Sequence, residues 1–245
     1  MPTRTARISV NRHGIPLAAR LSSILVNQKS KTSIAVTARD ETGNVLDLTE
    51  FGFDGDPPPT VAFRFADAAR PYAVTRVAGS CPTPESGELL ADLTAAQTGV
   101  AGIYRGEAAV LDTDEDVLHS QPFFLWIQPS LFGGTSSAPA RDELRLHLRD
   151  SQPDENLLLD ELDFDDAELC QALARAVTYW NEALPPGRNY NTSTFPFKAN
   201  WLDGAVACLC QTAAEHYRRN FVPVTAGGIG YQDLAKEQNL SLIHI

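Results

Sequence analysis

Phe123-Phe124-Leu125-Trp126-Ile127 is apolar at every position, so both faces of this segment have to be covered, and the pattern predicts a central β-strand. Its neighbours toward the N-terminus alternate instead. Val61, Phe63 and Phe65 are separated by Ala62, Arg64 and Ala66, and Tyr104-Arg105-Gly106-Glu107-Ala108 runs the same way into Val110. Ile34, Val36 and Ala38 alternate with Ser33, Thr37 and Arg39, and Asp40-Glu41-Thr42-Gly43-Asn44 then reads as a hairpin turn into Val45-Leu46-Asp47-Leu48. Asp54-Gly55-Asp56-Pro57-Pro58-Pro59 and Gly79-Ser80-Cys81-Pro82-Thr83-Pro84 read as loops, because proline gives no ladder donor. From Ala6 to about Pro129 no helical period competes. The expectation is an antiparallel immunoglobulin-like β-sandwich over residues 1–130, without the cysteine pair of antibody domains.

Gly133-Gly134-Thr135-Ser136-Ser137-Ala138-Pro139-Ala140 has the composition of a connection, which places a linker at 131–140 and a second, helical domain at 141–239. Arg141–Arg149 is read as a short helix. Leu169, Leu173, Ala176, Val177, Trp180 and Leu184 form one helical stripe, with Asp165 and Glu168 at capping-box spacing and Pro185-Pro186-Gly187 as the stop. A further helix is predicted from about Phe197 to Arg219, with Leu202, Ala205, Val206, Leu209 and Ala213 inward, small enough for close helix approach. Gly227-Gly228-Ile229-Gly230 lacks the Lys-Ser/Thr of a phosphate loop and reads as a tight turn between helical segments. The fold class expected is therefore α+β in two domains, a sandwich followed by a small α-helical bundle.

The composition limits function. The chain has 245 residues, a net charge of −11 and a pI near 4.8, which argues against gripping duplex DNA through clustered Lys and Arg. Residues 1–130 carry 11 basic against 15 acidic residues, and residues 131–245 carry 9 against 16, so the acidity concentrates in the helical part. No run approaches the ~20 apolar residues of a membrane helix, and the first residues do not read as a secretory signal, so a soluble protein made in the cytosol is expected. Cys81, Cys170, Cys208 and Cys210 suggest neither a disulfide framework nor a zinc site, and Cys208 and Cys210 should point to different faces of a helix. No nucleophile triad, catalytic carboxylate pair or phosphate loop is legible, so no enzyme activity, cofactor or metal is expected. Asn191-Thr192-Ser193 and Asn239-Leu240-Ser241 match the glycosylation pattern and are read as chance.

Between Asp150 and Glu168 there are nine acids and no Lys or Arg. One reading is a solvated helix N-terminus; another is a negative channel wall that repels passing DNA, for which Asp160, Glu161, Asp163, Asp165 and Asp166 are the candidates. Trp180, Trp201, Phe195, Phe197 and Ile229 are the candidate packing or interface residues, with Trp180 expected in the core.

Leu144-Arg-Leu-His-Leu-Arg-Asp150, Asp160 through Leu169, Tyr179-Trp-Asn-Glu-Ala-Leu-Pro-Pro186, Thr194-Phe-Pro-Phe197, Trp201-Leu202, Ala213 through Asn220 and Ala226-Gly-Gly-Ile-Gly230 together resemble tailed-phage head–tail connector or adaptor proteins of the neck. The resemblance covers about residues 141–237. Val61-Ala-Phe-Arg-Phe65, Asp92-Leu-Thr94 and Gly102-Ile-Tyr-Arg-Gly-Glu107 are similar to the immunoglobulin-like N-terminal domains of phage baseplate upper proteins. The first resemblance implies a structural virion protein: a homo-oligomeric, dodecameric ring between the portal protein and a tail or stopper protein, passing DNA without reading it and located at the virion neck. The alternative is a tail or baseplate module that uses its sandwich loops to attach receptor-binding fibres or glycans. Leu240-Ser-Leu-Ile-His-Ile245 can be encoded by a transposon end used in sequencing libraries, so residues 240–245 are read as an adapter artefact with the native chain continuing past Asn239.

Overall fold

The structure is a computed structural model, and it describes residues 3–5, 22–40, 43–53, 55, 57–130, 136–150, 162–183, 189–219, 224–226 and 229–231. Its architecture is α+β, a large sheet with three helices. The sheet strands are β1 (Thr3–Thr5), β2 (Ser22–Asn27), β3 (Thr32–Thr37), β4 (Thr60–Asp67), β5 (Thr75–Thr83), β6 (Glu88–Leu93), β7 (Gly102–Leu111) and β8 (Val117–Gln128). They form one hydrogen-bonded order, β1-β3-β6-β5-β4-β7-β8-β2, where the sequence suggested two facing sheets. Most pairs are antiparallel, but β1 runs parallel to β3 and β2 parallel to β8. The sheet curls barrel-like, and its terminal strands β1 and β2 approach one another.

Strand alternation explains the interior. Ile24 and Val26, Ile34 and Val36, Phe63 and Phe65, Leu89 and Leu93, Ala108 and Val110, and Phe123, Leu125 and Ile127 all point inward and are buried together. Gly106 faces Phe123 in the β7–β8 register, and a Cβ there would sit 2.4 Å from Phe123 Cζ. The glycine is the space into which the aromatic ring fits. Phe63 and Phe123 meet edge to face at 5.9 Å.

The other face of β7 and β8 is also covered. Ile103, Phe124 and Trp126 belong to a second cluster with Ala138, Leu144, Leu169, Leu173, Val177, Phe195, Trp201 and Leu209. Phe123, Phe124, Leu125, Trp126 and Ile127 are all buried because the barrel interior takes three and the helices take two. The helices are α1 (Arg141–Leu148), α2 (Asp166–Glu182) and α3 (Lys198–Arg219). They share this cluster with the sheet, and of the anticipated linker Ala138 and Pro139 are buried, with Trp126 Nε1 donating to Pro139 O at 3.3 Å. Residues 131–135 lie outside the described residues.

Local chemistry accounts for three departures from the sequence expectation. The segment after the Asp40–Asn44 turn makes only the bridge Arg39–Val45 with its partner, because Asp47 accepts from Thr49 N at 2.9 Å and starts a 3-10 turn over Leu48–Phe51. Gly79 through Thr83 belong to β5 instead of a loop. Pro82 falls where the β5–β6 register shifts between Ser80 and Thr83, a place that demands no ladder donor of it. Around Gly227–Gly230 the neighbours are strands and not helices: β9 (Val224–Ala226) precedes it, and Ile229 and Gly230 already belong to β10 (Ile229–Tyr231), which pairs antiparallel with β9.

α2 follows its pattern closely. Leu169, Leu173, Ala176 and Val177 are buried and Trp180 is half-buried, while Leu184 lies outside the described residues. The capping box forms: Glu168 N donates to Asp165 Oδ1 at 2.7 Å, and Asp165 N to Glu168 Oε2 at 2.9 Å. Such a cap contributes about 1 kcal/mol. On α3, Ala205 and Leu209 are buried and Leu202, Val206 and Ala213 half-buried, with Trp201 and Cys208 added to the inner face. A Cβ on Gly204 would lie 3.2 Å from Ala176 Cβ, so the small-residue approach of α2 and α3 is real. Cys208 is buried and Cys210 exposed, on different faces as expected.

Candidate functional site

Three of the stretches that carry the sequence resemblance converge in one aromatic cluster. Phe195, which follows an Asn191 turn, is 1% exposed and stands edge to face against Trp180 (5.5 Å), Tyr190 (5.6 Å), Phe197 (5.8 Å) and Trp201 (5.5 Å). Trp201 Nε1 donates to Leu173 O at 2.8 Å, so the indole is satisfied where it is buried and ties α3 to α2. Asn181 closes the segment after α2 by donating to Tyr190 O (2.7 Å) and accepting from Tyr190 N (3.0 Å). Edge-to-face pairs contribute about 0.5–1.5 kcal/mol each beyond burial, so the cluster is a structural keystone of the helical part. Phe197 is the member left 44% exposed. Ile229 lies in β10, its side chain outside the described residues.

The acids are placed unequally. Asp160 and Glu161 lie outside the described residues. Asp163 is exposed, Asp165 caps α2, and Asp166 is engaged by two arginines, Arg145 at 2.7 Å and Arg141 at 3.4 Å. The sequence reading missed Arg145, whose side chain is only 7% exposed and also pairs with buried Asp150 at 2.9 Å. Asp150 accepts in addition from Asp163 N (2.6 Å) and Phe164 N (3.3 Å), and Arg145 donates to Phe164 O (3.1 Å). One buried guanidinium thus pins α1 to the chain entering α2. Alternating Arg and Leu in Arg141–Leu148 hid it, because nothing in that pattern marks which arginine turns inward. Burial pushes the Cys170 thiol well up, and the charges of Asp166 and Asp165 add to the effect.

A second polar bridge joins the helical part to the sheet. Thr192 accepts from Ile103 N at 2.9 Å and donates its hydroxyl to Asp67 Oδ2 at 2.6 Å, while its backbone N donates to the same oxygen at 2.9 Å. Gly102 makes room, since a Cβ there would sit 2.9 Å from Thr192 Oγ1. Asn191 Oδ1 accepts from Ser193 N and Thr194 N and sets the turn that presents Thr192. Thr192 was visible in sequence only as the middle of a glycosylation pattern. Nearby, burial pushes Tyr104 up to about 12, with the charge of Asp67 adding to it.

Among the described residues no group of three or more His, Cys, Asp or Glu could hold a metal ion, and no helix is long and apolar enough to cross a membrane. Asp67 with Thr192, and Arg145 with Asp150 and Asp166, engage each other and hold elements together. On the surface, His147 and Asp203 meet at 2.9 Å between α1 and α3, and Lys198 reaches Glu143 at 2.6 Å.

No protein-family model matches the chain, and no curated protein does. Among solved structures, the N-terminal domain of phage TP901-1 ORF48 is similar to part of it, with 10% identity and a TM-score of 0.33 over 51% of this chain and 94% of that one.

Proposed function

We propose that the protein is a structural virion component of a tailed bacteriophage, a connector whose copies form a ring at the head–tail junction through which DNA passes. The observation that carries this reading is the aromatic cluster: the Trp180-Asn181 step, Phe195-Pro-Phe197 and Trp201, which are separate parts of the neck-protein resemblance, pack as one unit. The helices dock on the barrel through a shared apolar cluster, Thr192–Asp67 and Trp126–Pro139, which suits a load-bearing ring subunit more than a catalyst that must open and close. In this reading no enzyme activity is required, the partners are sister copies, the portal protein and a tail or stopper protein, and the sheet projects outward from the ring. Asp163, with Asp160 and Glu161, would keep DNA from adhering to the wall by like-charge repulsion.

Cryo-EM of the intact virion neck tests this. A ring of this chain between portal and tail supports it; density for the chain only at the distal tail or baseplate would establish the fibre-attachment alternative instead.

A further inference from the structure

One strand of the sheet serves two neighbours with different halves. β5 pairs with β4 through residues 75–79 and with β6 through Gly79, Ser80 and Thr83, so Gly79 alone is paired on both sides. A Cβ on Gly79 would lie 2.8 Å from Leu90 O and 2.8 Å from Phe63 Cε2, the closeness that a strand passing between two neighbours demands. Beyond Gly79 the two strands part: Asp92 and Leu93 of β6 pair with Ser33 and Thr32 of β3 and not with β5. Residues 75–78 are therefore a sheet edge. In an antiparallel ladder alternate residues turn both N–H and C=O away from their partner, so half of the backbone groups of this stretch face outward. Among the described residues no backbone partner takes them up.

The other half of β5 is open toward β4, and there the edge is blunted. The chain entering β4 is Pro57-Pro58-Pro59, which has no N–H to offer, and Pro82 removes a donor from β5 itself. Residues 74–78, Val-Thr-Arg-Val-Ala, hold no proline and no lysine, and their single charge, Arg76, pairs with Glu115 at 3.6 Å. Val74 and Ala78 are exposed. An unprotected edge of this kind is where a strand from elsewhere adds to a sheet.

The same chain holds a strand pair with room for a third member. β9 and β10 form a two-stranded sheet of their own, three residues to a strand, and neither pairs with the eight-stranded sheet. Such a hairpin is marginal alone in water and gains stability when its outer edge meets another strand. Val224-Thr-Ala226 and Ile229-Gly-Tyr231 carry no charge and no proline, so nothing in their sequence opposes pairing with the neutralised edge of β5. Edge and hairpin both stay open within one chain, whereas two copies satisfy one another. The contact joins two different surfaces of the same molecule, the head-to-tail kind that closes rings.

We propose that the edge of β5 at residues 75–78 is a strand-addition site for the β9–β10 hairpin of a second copy of this chain. The choice of a sister copy over another strand-bearing protein rests on the ring reading.

The test is amide hydrogen exchange of the purified full chain, followed together with its mass in solution. At about 100 μM the wild type should associate and at about 1 μM it should dissociate, as mass action requires. Amides of residues 75–78 should exchange at least about tenfold more slowly in the associated protein. About 500 mM NaCl should leave the association in place, because a backbone ladder is not screened as surface charges are. Thr225→Pro with Gly230→Pro removes hairpin donors and should leave the chain monomeric, with residues 75–78 exchanging at the dilute rate. Val74→Lys with Ala78→Lys charges the edge at two exposed positions and should weaken association by at least about tenfold. Circular dichroism confirms that each variant is folded; if the proline pair does not fold, the lysine pair and the wild-type dilution series decide. A wild type that stays monomeric, an assembly in which residues 75–78 exchange freely, or protection that persists in the proline pair overturns the contact. Protection of these residues in the monomer overturns it too, since the hairpin would then sit on its own chain. Any of these results with a portal-bound ring still forming leaves the ring reading standing, whereas failure to gather around portal protein removes that reading.

Discussion

Thr192 and Asp67 are separated by 125 positions, yet the backbone N–H and the hydroxyl of Thr192 both end on one oxygen of Asp67, at 2.9 and 2.6 Å. Asp67 uses its other oxygen to accept from Ala69 N and Arg70 N, so a single buried carboxylate fixes the end of β4 and receives the segment between α2 and α3. Thr192→Val keeps the shape and removes the hydroxyl, leaving Ile103 N without its acceptor. We expect a loss of about 2 kcal/mol, read from the urea midpoint, with Thr192→Ser losing clearly less.

Arg145 is the second such point. Removing one partner of a buried ion pair strands the other, so Arg145→Ala should cost about 3–5 kcal/mol, while Arg145→Met, which fills the volume, should cost less than Ala. Thermal denaturation of the two variants side by side checks the order.

Gly106 has no room for a side chain, because Phe123 occupies it. Gly106→Ala should destabilise by about 1–3 kcal/mol, and Phe123→Leu in that background should cost less than it does alone. A double-mutant cycle in denaturant measures the coupling.

Burial holds the His119 imidazole below its ordinary value of 6.5, and its Nε2 is buried without a partner among the described residues. A folded-state value below the unfolded one means that the contribution is present above the unfolded value and is lost as pH falls through the folded one. The wild type should therefore lose stability between about pH 7 and about pH 5 more steeply than His119→Gln, which cannot take up that proton. Urea midpoints at both pH values for the two proteins give the comparison.

Much of the fold was legible because it depends on period. The doubly apolar run Phe123–Ile127 marked a strand covered on both faces, and the α2 stripe with its Asp165–Glu168 box needed only local sequence. What covers each face was not legible: that Phe124 and Trp126 would meet Leu173 and Trp201 depends on pairings far apart in the chain. The closure of the strands into one sheet was hidden for the same reason, since the parallel pairs β1–β3 and β2–β8 leave no turn signature. Of the candidate residues, Trp180, Phe195, Phe197 and Trp201 were recognisable as aromatics and do converge. Arg145, Asp67 and Thr192 were not, because a buried polar residue looks in sequence like any exposed one.

The connector reading is tested most directly by the mass of the complex formed when the purified chain is mixed with the portal protein of the same virion. The expected product is a portal-bound ring containing many copies of this chain. Portal protein that keeps its own mass, with this chain binding instead to a fibre or a glycan, would contradict it.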